Sequence, residues 1–106
     1  MSRPYAIDYL PAAQQDLQDI VDYIARDNPN AAPAFVDRID RVIGRLALHP
    51  RSGQRPREDR LRRRGCRMLV VGDYLAFYVV TGRTVQIRRV IHGARRYEFL
   101  LAPLRR

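Results

Sequence analysis

The chain is 106 residues long, with 46% hydrophobic and 29% charged side chains, a balance that excludes disorder and gives one domain, residues 1–106. Its longest uninterrupted apolar run, residues 75–80, is far shorter than the roughly 20 residues of a membrane span, so no membrane partner is expected. Cys66 is the single cysteine, which excludes an intramolecular disulfide; with Asp8 where a secretory leader would be apolar, the expected location is cytoplasmic.

Charge is distributed unevenly. All 20 basic residues are arginine and none is lysine. Residues 1–50 hold five Arg against seven Asp, a net charge of −2, whereas residues 51–106 hold fifteen Arg against four acids, a net of +11. Such asymmetry predicts a polyanionic or acidic partner for the C-terminal half.

In chain order, the aromatic alternation of residues 5–9 predicts a short strand. Pro11 suits the first turn of a helix, and Leu17, Ile20, Val21 and Ile24 recur at helical period behind it. Asp16 and Asp19 lie off that stripe, where they are expected to favour the helix N-terminus. Asn28 and Pro29 predict a cap and first position for a second helix, whose stripe runs through Phe35, Ile39, Val42, Ile43 and Leu46 to His49-Pro50. The short link between the two makes them an antiparallel hairpin that needs an apolar surface to cover.

Residues 51–64 are arginine-rich and interrupted by Gly53 and Pro56, which predicts a loop without regular structure, or one that orders on a partner. Three strands follow, at residues 67–71, 74–80 and 84–91, joined by Gly72-Asp73 and by Thr81-Gly82-Arg83. Residues 95–104 could form a further helical turn. The order is β-α-α-β-β-β, an α+β fold with a helical hairpin on a small, mainly antiparallel sheet.

Little local chemistry is readable. His49, His92 and Cys66 lack metal-ligand spacing, no glycine-rich phosphate loop follows the first strand, and neither serine lies in a nucleophile motif, so no cofactor and no metal are expected. The cluster Arg88, Arg89, His92, Arg95, Arg96 and Tyr97 could bind a phosphate backbone, or supply general acid–base groups for RNA cleavage. Against both stands the plainer reading that these side chains simply face solvent.

Several segments in order resemble the ParE branch of the ParE/RelE toxin superfamily. They are Tyr9-Leu10-Pro11 with Asp16-Leu17 and Asp22-Tyr23-Ile24-Ala25; Asn28-Pro29 with Phe35; Leu46 with His49-Pro50 and Gly53; Gly72-Asp73-Tyr74-Leu75 and Tyr78; and residues 87–95, ending Ile91-His92-Gly93-Ala94-Arg95. The match spans about residues 5–101, and Leu10 departs from it where the family places a serine cap. The resemblance implies the same β-α-α-β-β-β fold and offers two activities. RelE-type members are ribosome-dependent mRNA endonucleases that use basic strand residues, an Arg after the next strand's Tyr and a C-terminal Tyr. Those positions fall here on Met68 and Val70, on Leu75, and near Leu101 with Tyr97 close by; Arg95 alone is retained. Aliphatic side chains cannot stabilise a phosphorane or move a proton.

That favours the ParE-type activity, a non-enzymatic poison of DNA gyrase, with an RNase or a non-toxic nucleic-acid-binding module as alternatives. The residues expected to engage the target are Arg88, Arg89, His92, Arg95, Arg96 and Tyr97. The resemblance also implies a cognate antitoxin with an acidic flexible tail, and contact with operator DNA only through that antitoxin. Its expected contacts are Leu17, Val21, Phe35, Val42 and Arg67.

Overall fold

A computed structural model of the chain describes residues 3–93. Its elements are β1 (Ala6–Tyr9), α1 (Pro11–Asp27), α2 (Ala31–Gly44), a 3-10 turn (Arg45–Ala47), α3 (Asp59–Arg63), β2 (Arg67–Val71), β3 (Tyr74–Thr81) and β4 (Thr84–His92). The sheet order is β1-β4-β3-β2, with β1 parallel to β4 and the other pairs antiparallel. The α+β hairpin-on-sheet architecture expected from sequence is therefore present. Among the described residues no helix is long and apolar enough to cross a membrane.

One sheet face carries the main core. Val71, Ala76, Tyr78, Val85, Ile87 and Val90 pack against Ala13 and Ile20 of α1, Ile39 and Ile43 of α2, and Leu46 just beyond it. The apolar stripes of both helices thus meet the sheet, as their period requires. Leu10 caps α1 in extended geometry without a side-chain hydrogen bond, ahead of Pro11 at the helix start.

Three local expectations need correction. Helix α2 starts at Ala31, not at Pro29. Asn28 still caps the chain entering it: from extended backbone geometry its Oδ1 accepts from Asn30 N–H at 3.2 Å and its carbonyl from Ala31 N–H at 3.0 Å. Asp16 lies beyond the first turn of α1 and pairs with β4 rather than with the helix N-terminus. Residues 51–64 are not an irregular loop. Gln54 exchanges two backbone hydrogen bonds with Met68, at 2.8 and 2.9 Å, and Glu58 caps α3 by accepting from Arg60 N–H. A buried apolar side chain, Leu61, holds that short helix down.

The turns obey their glycines. Gly72 and Gly82 adopt φ of 61° and 60°, a region that favours glycine and matches tight hairpins. Between Phe77 and Tyr78 the β3–β4 register slips, so that Phe77 opposes Arg89 and Tyr78 opposes Ile87. Arg88 is the extra residue of this bulge. The slip lets Val85, Ile87 and Val90 share one core despite their uneven spacing.

Candidate functional site

The second sheet face defines the site. Leu61 from α3, Cys66, Phe77 and Ile91 form a separate buried cluster, with Met68, Leu75 and Val79 packed on it. Val70, opposite Leu75 on the edge strand, is 57% exposed. An apolar groove of about 510 Å³ opens beside this cluster. It is lined by Leu10, Pro11 and Ala12 at the start of α1, by Leu61, Cys66, Phe77 and Val79, and by Arg64, Arg88 and Arg89.

Arg89 is fixed from within. Its Nε donates to Asp16 Oδ2 at 2.7 Å and its Nη2 to Asp16 Oδ1 at 3.0 Å, a two-pronged pair on a partly buried carboxylate. Hydrogen bonding to Asp16 pushes the guanidinium still further above its ordinary value, although partial burial acts the other way. Asp16 Oδ2 also accepts from Val90 N–H at 2.9 Å. Strand β1 pairs with β4 only as far as Ile87, so this carboxylate satisfies an edge amide that no strand reaches.

The arginine-rich segment is pinned at its start. Gly53 N–H donates to the buried Tyr78 Oη at 2.8 Å, and Arg67 Nη1 donates to Gly53 O at 3.1 Å. A Cβ at position 53 would lie 2.5 Å from that hydroxyl and 2.9 Å from Met68 O, so glycine is required there. Burial, the largest influence, raises the Tyr78 phenol, with the Gly53 hydrogen bond acting against it. Pro56 is fully buried. Arg51, Arg55, Arg57, Arg60, Arg62, Arg63 and Arg64 are left exposed, and of these seven only Arg62 forms an ion pair among the described residues, with Asp59.

The target-engaging residues expected from sequence fall in two groups. Arg88, Arg89 and His92 lie along the final residues of β4, with Arg88 on the groove, Arg89 held by Asp16, and the exposed His92 edge-on to Tyr74. Arg95, Arg96, Tyr97 and Leu101, with the helical turn expected at 95–104, lie outside the described residues. Of the expected antitoxin contacts, Leu17, Phe35 and Val42 are half-buried and packed on the main core. Val21 is half-buried on α1, and Arg67 is turned to Gly53. Sequence reasoning missed Leu61 and Arg64; the signal was Glu58 and Asp59 ahead of a single leucine among arginines, which reads as a short capped helix.

This arrangement of a two-helix hairpin on a β1-β4-β3-β2 sheet is shared with solved toxin–antitoxin structures. A chain of the chromosomal ParDE system from P. aeruginosa superposes with a TM-score of 0.71 at 22% identity, covering 86% of this chain and 98% of that one. A chain of the RelBE2 toxin–antitoxin complex from Mycobacterium tuberculosis gives 0.58 at 26% identity, covering 84% and 98%. No curated protein matches the chain. Residues 7–97 match the family described as the ParE toxin of the type II toxin–antitoxin system parDE. The chain belongs to that family, and is a type II toxin of the ParE kind.

Proposed function

We propose that this toxin arrests growth by binding DNA gyrase and trapping it on cleaved DNA, with no bond chemistry of its own. The observation that carries the reading is the second sheet face. Met68, Val70 and Leu75, which stand where the superfamily's RNA-cutting members place basic residues, share that face with Phe77, Val79 and Ile91. A methionine and two branched aliphatics provide neither a proton relay nor charge stabilisation for a phosphorane. Target binding falls to Arg88, Arg95 and Arg96, with His92 and Tyr97 as further contacts and Arg89 holding β4 to α1 through Asp16. The cationic half suits a surface built of protein and DNA together.

A cognate antitoxin with an acidic, flexible tail is the natural partner, since the matched ParDE and RelBE2 structures are toxin–antitoxin systems. Sequence-specific contact with operator DNA then runs through the antitoxin.

The test is charge reversal. R95E/R96E, alone and with R88E, is expected to abolish growth arrest and gyrase-linked DNA breaks while the thermal midpoint stays within a few degrees. Full toxicity in the triple variant would contradict the assignment.

A further inference from the structure

The segment from Arg51 to Arg64 has a feature that the target-engaging residues above do not use. It carries seven arginines against Glu58 and Asp59, a net of +5 in fourteen residues. Free chains of such composition are usually mobile, yet this one is fixed at four points. Gly53 is held by Tyr78, Gln54 by Met68, and Pro56 and Leu61 are buried. Order has been imposed on a surface whose like charges repel one another, and no set of carboxylates compensates it among the described residues.

The outward chemistry of this segment is informative. Its apolar side chains, Pro56 and Leu61, both point inward, so every exposed side chain it offers is polar or charged. A protein partner's interface is typically more than half apolar, whereas a nucleic-acid interface is polar and cationic. With Leu61 buried against the second cluster, Arg60 in α3 and Arg64 at its C-cap stand four residues apart, about one helical turn. Arg64 and Arg88 both line the groove beside α3, with Arg60 one turn before Arg64.

We propose that Arg60, Arg64 and Arg88 form a phosphate-binding track through which this chain contacts duplex nucleic acid directly. Guanidinium forks pair with phosphate oxygens in two-pronged fashion, and the rigid anchoring limits the entropy lost on binding. The track reads charge and spacing only, so binding is independent of base sequence. The inference goes beyond the gyrase reading because it assigns direct contact with naked DNA, and its outcome is separate from gyrase poisoning.

The experiment is fluorescence anisotropy of the full chain on a labelled mixed-sequence duplex across a salt series. Wild type should bind at low salt and weaken linearly in the logarithm of salt concentration. R60Q/R64Q should flatten that slope by about 2, at roughly 0.9 for each phosphate no longer neutralised. R60K/R64K should restore it, which separates missing phosphate pairing from a damaged fold. R26Q/R41Q, which removes the same charge from exposed positions on α1 and α2, should leave the slope nearly unchanged. Equal flattening in the two glutamine variants would reduce the effect to net charge and overturn the proposal. So would absence of duplex binding at low salt, or tighter binding of poly-glutamate than of DNA.

Discussion

Asp16 in the second turn of α1 and Arg89 near the end of β4 form a two-pronged ion pair 73 positions apart, and the same carboxylate holds Val90 N–H. One side chain therefore ties the hairpin to the strand that carries Arg88 and His92. The pair is only partly exposed, at 14% for Asp16 and 29% for Arg89, so solvent screens it incompletely. D16A removes the carboxylate from both groups and should cost about 2–3 kcal/mol. The thermal midpoint should fall by roughly 10 °C. A D16A/R89A double-mutant cycle should give a coupling of at least about 1 kcal/mol; independence of the two substitutions would remove the pair from the account.

Tyr78 and Gly53 form the second long-range tie. Y78F leaves a buried backbone N–H without its acceptor, at a cost of about 1–2 kcal/mol. G53A should be worse, because its Cβ would meet the hydroxyl at 2.5 Å and a backbone carbonyl at 2.9 Å. Hydrogen exchange of residues 53–65 should speed up in both variants while β3 and β4 stay protected. Unchanged protection of the segment would show that the tyrosine does not anchor it.

Leu61 is the apolar foot of α3, 3% exposed in the second cluster. L61A should cost about 2–4 kcal/mol if α3 stays in place over the cavity. Exposure of Cys66 to thiol reagents in that variant would show that α3 has left the sheet.

Cys66 gives a pH-dependent readout. Burial, only partly offset by Arg88, pushes its thiol from an ordinary 9.0 up to about 11. At pH 8 the thiolate fraction of the folded protein should be about 100-fold below that of the unfolded chain, and reaction with a disulfide reagent slower than in the unfolded chain. Because the folded value is raised, the stabilisation linked to the protonated thiol is intact below pH 9. It is lost as pH rises through about 11. A denaturant midpoint that does not fall over that interval more in wild type than in C66A would contradict this.

Much of the fold was legible from period alone. The stripes Leu17–Ile24 and Phe35–Leu46 and the paired turns at Gly72 and Gly82 fixed the hairpin and the meander, and both are present. Local cues misled where a tertiary partner decides. Gly53 and Pro56 read as breakers, yet one makes room for a phenol and the other is buried beneath the segment. Asp16 looked like a helix-terminus charge because nothing near it in sequence announces Arg89. The bulge at Arg88 was invisible, since a one-residue slip leaves the strand's composition untouched. Met68, Val70 and Leu75 could be named from the resemblance, but only the sheet register places them on one face.

Gyrase poisoning without bond chemistry is decided by giving the purified chain two substrates in parallel. One reaction holds gyrase with supercoiled plasmid, the other translating ribosomes with a defined message. Protein-linked, linearised plasmid is expected in the first and an intact message in the second. A message cut on the ribosome, with gyrase turnover unaffected, would contradict it.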